Sequence, residues 1–155
     1  MWIDGGNRIL AADSKAGASV IDSHPASPVA DPPILPGFGG INNLSLFVSP
    51  AVDGIAMGYF PDDVNEIVRY SIPAGKLERV GVEGRRPVFV PGAGNRRFVF
   101  VRGNICYLYD LDLKRGKRLF SLAPNKIYCI GFDPAGKRIY FTQTIRDADL
   151  WMGQF

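Results

Sequence analysis

Few residues in this 155-residue chain could carry chemistry. Its single histidine, His24, sits in the proline-rich stretch SHPASPVADPP. A Ser-His-Asp triad or a multi-histidine metal site would have to use it, yet its setting is that of a solvated loop. The two cysteines, Cys106 in NICYLYDL and Cys129 in KIYCIGF, lie inside apolar runs. That is the pattern of buried small hydrophobes, with a disulfide between them as the open alternative. No CxxC pair exists, which excludes a zinc ribbon. There is no nucleophile elbow, no P-loop and no grouping of metal ligands. The expectation is therefore a protein that is not an enzyme, with no catalytic, cofactor-binding or metal-binding residues.

The remaining candidates are charged loop positions. Arg85 and Arg86 form one basic pair, Arg96 and Arg97 a second, and Arg146 and Asp147 stand before the final apolar segment. These are the expected partner-binding positions, set against the plainer role of a solvated rim. Nucleic acid is not the expected partner. It would need a contiguous basic patch interleaved with stacking aromatics, and the aromatics fall at strand positions.

The elements that position these residues are short strands cut by turns. Gly (18) and Pro (12) make up about a fifth of the chain, which argues against a helical bundle. Apolar residues at 46% suit a globular core. The net charge of +3 is small and scattered, so it signals no polyanion partner by itself. No apolar run approaches a membrane span, and MWIDGGNRIL lacks the basic start and apolar stretch of a signal peptide. Strands are predicted at 8–12, 18–22, 44–48, 55–60, 66–72, 77–82, 87–91, 97–101, 105–111, 118–122, 127–132, 138–144 and 149–155, all rich in Val, Ile, Phe and Tyr. Turn sequences such as VDG, PAGK, GAGN, KRGK and DPAGK separate them. Residues 23–43, with Pro25, Pro28, Pro32, Pro33, Pro36 and a GFGG run, read as an extended connector.

Self-similarity decides the architecture. Pro50, Pro91 and Pro134 each follow an apolar strand and are spaced by 41 and then 43 residues. A glycine-bearing turn and a second apolar strand come after each. A third strand follows at equivalent positions: IVRYSIPAGK, CYLYDLDLKRGK and LWMGQF, with Tyr70 matching Tyr109. Val68, Tyr107 and Trp151 share one repeat position, suited to filling the seam between neighbouring units. Four strands in about 40–45 residues is the period of a β-propeller blade. One such sheet exposes two apolar faces, and stacking sheet on sheet buries both. A flat array of tandem hairpins would leave long apolar edges.

The segment FDPAGKRIYFTQTIRDADLWM resembles the blade motif of TolB-like (WD-repeat-like) propellers. Phe132, Asp133, Pro134, Gly136, Lys137, Phe141, Asp149 and Trp151 carry the resemblance. The turns at Ala51–Gly54 and Gly92–Asn95 depart from the full Asp-x-Gly-Lys form, and Val68 and Tyr107 stand where Trp is common in that family. Asp133-Pro134-Ala135-Gly136 is built as a tight turn, with Asp133 able to bond the backbone and Gly136 supplying a positive φ. The resemblance implies a non-enzymatic scaffold for protein or ligand binding, in an exported or periplasmic setting. Its alternative is a sensor or gating propeller of a larger enzyme, a prolyl-oligopeptidase-like hydrolase or a protein kinase.

The predicted fold is all-β, about three and a half blades of four antiparallel strands in one incomplete propeller domain. Residues 1–43 are expected to hold the remnant of a preceding blade and the connector, 44–84 and 85–125 a blade each, and 126–155 a last blade lacking its fourth strand. Such a piece would be an open curved stack, cut from a longer ring, and prone to self-association through open blade edges.

Overall fold

A computed structural model describes residues 2–3, 8–13, 17–22, 45–47, 54–60, 65–133 and 135–145. Thirteen strands run through them: β1 (Trp2–Ile3), β2 (Arg8–Asp13), β3 (Gly17–Asp22), β4 (Ser45–Phe47), β5 (Ile55–Tyr59), β6 (Glu66–Ser71), β7 (Lys76–Glu83), β8 (Arg85–Phe89), β9 (Arg97–Arg102), β10 (Ile105–Asp110), β11 (Arg115–Ser121), β12 (Lys126–Phe132) and β13 (Ile139–Thr144). All pairings are antiparallel between consecutive strands. They form small sheets of three (β1–β3), four (β4–β7), four (β8–β11) and two strands (β12–β13), and a propeller ring is not among them. The two four-stranded meanders occupy 45–83 and 85–121, inside the segments 44–84 and 85–125.

Alternation along β9 and β10 explains why the middle sheet cannot stand alone. Successive side chains of a strand point to opposite faces. Phe98 and Phe100 of β9 lie with Tyr107 and Tyr109 of β10 on one face, paired as Phe98↔Tyr109 and Phe100↔Tyr107. They join Met57, Tyr59 and Ile67 of the preceding sheet in one cluster, with Val80 and Val82 packed against it. Val99, Val101 and Cys106 lie on the other face and cluster with Ile127 and Ile130 of the following sheet. Both faces of β9 are therefore buried. This is the near-continuous apolar run RFVFV that the sequence shows.

Aromatic pairs within the middle sheet line its face of the first seam. The Phe100 and Tyr107 rings stack at 5.3 Å and 16°, and Phe98 meets Tyr109 at 5.3 Å in a tilted arrangement. Ala56, Val68 and Tyr70, on the opposite face of the preceding sheet, are also fully buried. Val68 and Tyr70 thus occupy the same face of their sheet as Tyr107 and Tyr109 do of theirs, as the repeat alignment requires. Trp151, the third member of that position, lies outside the described residues.

The turn that follows Pro91 and the Asp133 turn lie at one end of the sheets, here the proline-turn end, and Pro50 lies outside the described residues. The Asp133 turn is described apart from Pro134. The Asp133 Oδ1 accepts the backbone N–H of Lys137 (2.6 Å) and Arg138 (2.8 Å), and the Gly136 N–H donates to the Asp133 carbonyl. Gly136 sits at φ +66°, and a Cβ there would lie 3.0 Å from the Pro91 carbonyl oxygen. The position therefore needs glycine both for its backbone and for the close approach of the preceding sheet's turn.

The opposite, linker end carries the connections β7→β8 and β11→β12 and the two-residue β9–β10 hairpin. Lys117 and Arg118 lie on the edge strand β11, exposed, with Arg115 beside them. Charged side chains on an edge discourage pairing with another chain. Phe132 packs partly buried in the second seam, and Phe141 is 41% exposed with its ring 5.4 Å from that of Phe120.

Candidate functional site

The basic pairs proposed from sequence part company in the fold. Arg85 and Arg86 open β8 at the linker end, whereas Arg96 and Arg97 precede and open β9 at the proline-turn end. Arg146, Asp147 and Asp149 lie outside the described residues.

The pair at the proline-turn end is bound up in local structure. Arg97 Nε donates to Asp110 Oδ2 at 2.9 Å, and Arg96 is 3.9 Å from Asp112. Asp110 Oδ1 in turn accepts the backbone N–H groups of Asp112 and Leu113. The Leu113 N–H, with Arg97 next, holds the Asp110 carboxyl below its ordinary value. A depressed carboxyl stabilises the fold above its unfolded pKa and loses that contribution as pH falls through the folded one. The melting-temperature gap between wild type and Asp110→Asn is therefore expected to be full above about pH 5 and to close toward about pH 2. Thermal melts across that range check it, and a gap independent of pH would show that the carboxylate charge contributes nothing.

The pair at the linker end borders a cleft of about 460 Å³. Four chain segments build it: the end of β5 with its loop (Tyr59, Asn65), the β7–β8 junction (Glu83 to Arg86), the β9–β10 turn (Val101 to Gly103) and the start of β12 (Lys126 to Tyr128). Three backbone features shape this corner. Asn65 and Arg86 adopt positive φ (50° and 54°), and a bulge interrupts the β8–β9 register between Arg85 and Val88. Bulges re-aim side chains, and non-glycine residues at positive φ persist only where the surroundings hold them. Pro87, fully buried, follows Arg86 and anchors the bulge.

The side chains here are fixed by polar contacts. Arg85 Nε donates to Asn65 Oδ1 at 2.8 Å, and Arg102 pairs with Glu83 at 2.7 Å. The Arg86 guanidinium stands 5.9 Å over the Tyr128 ring, a cation–π arrangement. Among the described lining residues, four cations (Arg85, Arg86, Arg102, Lys126) stand against one carboxylate (Glu83), an electropositive set. Nothing in the local sequence marks Arg102 and Lys126, because the β9–β10 turn and the β12 start meet Arg85 only once the sheets stack.

No group of three or more metal-ligating side chains occurs among the described residues. Cys106 is a free, fully buried thiol, and burial pushes its pKa up to about 11. Only the thiolate is a nucleophile, so Cys106 is expected to stay unmodified by a thiol reagent in native protein at neutral pH and to react fully in denaturant. Peptide mass mapping after alkylation checks it. Native labelling of Cys106 would show that the second seam opens. The Cys129 side chain lies outside the described set.

Searches against protein-family models and curated proteins give no match to this chain.

Proposed function

We propose that this chain is a stretch of a β-propeller, of the TolB-like kind its blade motif resembles, and that it serves as a non-enzymatic scaffold that docks a protein partner at the linker end. The observation that carries this is how the sheets approach one another. Between the two meanders, close approach runs through β8, which meets β4, β5 and β6, and β12 then meets β8 and β9. The outermost strands β7 and β11 are not among those closely approaching pairs. First strands in the closest approach, with the last strands outside those closest pairs, is the order expected of blades around an axis.

The linker end supports the binding role. Both ends carry a cleft, but at the linker end Arg85 and Lys126 have no carboxylate partner among the described residues, whereas at the proline-turn end Arg96 and Arg97 pair with Asp112 and Asp110. Propeller folds host many functions, so the site and not the fold carries this argument.

A photoreactive amino acid placed at position 85, and separately at position 96, tests it in cells that make the protein. A discrete protein adduct at 85 and none at 96 is expected. Adducts only at 96, or at neither position, would contradict docking at the linker end.

A further inference from the structure

We propose that the linker-end cleft binds an extended acidic peptide segment of the partner, its carboxylates held by Arg85 and Lys126, with Arg86 and Arg102 adding to the positive field. This rests on the scaffold role above and names the chemistry of what docks there. The described residues that line the cleft sum to three positive charges. Two of those cations have binding capacity left over. Arg85 is anchored through Nε to Asn65, which leaves its two terminal nitrogens without a protein partner among the described residues, and Lys126 is exposed and likewise unpartnered. An arginine fixed through Nε presents its terminal nitrogens with little rotamer entropy left to lose.

The distribution of charge favours a peptide over a compact anion. The cations come from three separate segments, at the β7–β8 junction, the β9–β10 turn and the β12 start, and Glu83 and Asn65 stand among them. A single phosphate would call for donors converging on one point, commonly backbone N–H groups of a nest. Spaced guanidinium and ammonium groups match carboxylates spaced along a chain. A cleft of about 460 Å³ suits a few residues of an extended segment rather than a folded surface. Tyr59 and Tyr128 give the cleft apolar ring surface beside the charges.

Fluorescence anisotropy with a labelled peptide alternating Glu and Gly, and with its Gln and Gly counterpart, tests this on the intact chain. The acidic peptide is expected to bind in a manner weakened by added salt, and the neutral one not to bind. Arg85→Gln with Lys126→Gln is expected to lower the affinity by about tenfold or more, because each lost charge removes a charge-assisted hydrogen bond. Arg96→Gln, at the other end, should leave it unchanged. Both altered cleft residues are exposed, and unchanged melting temperatures would show that the fold persists. Equal binding of both peptides, or no effect of the cleft substitutions, would overturn the proposal. So would displacement of the acidic peptide by inorganic phosphate at matched concentration. If the position-85 adduct forms while the acidic peptide fails to bind, docking stands and the acidic-segment chemistry falls.

Discussion

Phe98→Ala is expected to destabilise the protein by about 3–5 kcal/mol, the range for truncating a fully buried phenylalanine. Phe98 is 0% exposed and sits where three residues from the preceding sheet, Met57, Tyr59 and Ile67, meet the first face of the middle sheet. Its ring also contacts Phe100 (5.8 Å) and Tyr109 (5.3 Å), so the truncation removes aromatic pairing as well as buried area. Because Phe98 belongs to the seam and not to one sheet, the loss should reach both meanders. Denaturant unfolding followed by hydrogen exchange checks this. Loss of protection in β5 and β6 as well as in β9 and β10 is expected. A loss confined to β9 and β10 would mean that the two sheets are stable independently.

Gly84→Ala is the second large effect. Gly84 is the one residue between β7 and β8, buried, with its N–H donating to the Asn65 carbonyl at 2.9 Å. A Cβ there would lie 2.2 Å from a Phe100 ring carbon and 3.1 Å from the Val101 carbonyl oxygen. Phe100 is itself stacked on Tyr107 and buried at the seam, so neither contact can relax at low cost. Overpacking of this kind costs about 1–3 kcal/mol, and the backbone contact places Gly84→Ala toward the upper part of that range. Gly81 serves as the control: it has open space around a Cβ, though its positive φ of 73° makes an alanine strained on its own account. Equilibrium unfolding of Gly84→Ala and the double variant Gly84→Ala with Phe100→Leu separates the causes. Partial rescue by the smaller Phe100 side chain is expected. No rescue would locate the cost in the backbone.

Much of the fold was legible because the repeat is written in the apolar pattern. The β10 sequence ICYLYD and the β6 sequence EIVRYS place Tyr109 and Tyr70 at matching positions, and both tyrosines are buried on the matching face of their sheets. Strand ends were less legible. The sequence placed the start of the β8 strand at Pro87, since Arg85 and Arg86 look like turn residues, yet the strand begins at Arg85 through a bulge. Charged residues can open a strand when their side chains reach a cleft at its end, and no local propensity signals that. The strand expected at 149–155 lies outside the described residues.

The candidate site was half legible. Arg85 and Arg86 stood out as a pair, but so did Arg96 and Arg97, and the two look alike in sequence. What separates them is long-range pairing. Arg97 faces Asp110 across the β9–β10 register, while Arg85 meets Asn65, twenty residues earlier, across a sheet junction. Local sequence carries neither relation. Arg102 and Lys126 were invisible for the same reason, since each is an ordinary polar turn or strand-end residue until stacking brings them to one cleft.

The middle sheet is covered on both faces by the sheets before and after it, and a NOESY spectrum of methyl-labelled protein checks this. Cross-peaks are expected from Met57 or Ile67 methyls to the rings of Phe89, Phe98 or Phe100, and, in the same sample, from Val99 or Val101 methyls to those of Ile127 or Ile130. Peaks within the middle sheet, such as Val99 to Leu108, without either set across the seams would contradict it and leave a flat run of separate hairpins.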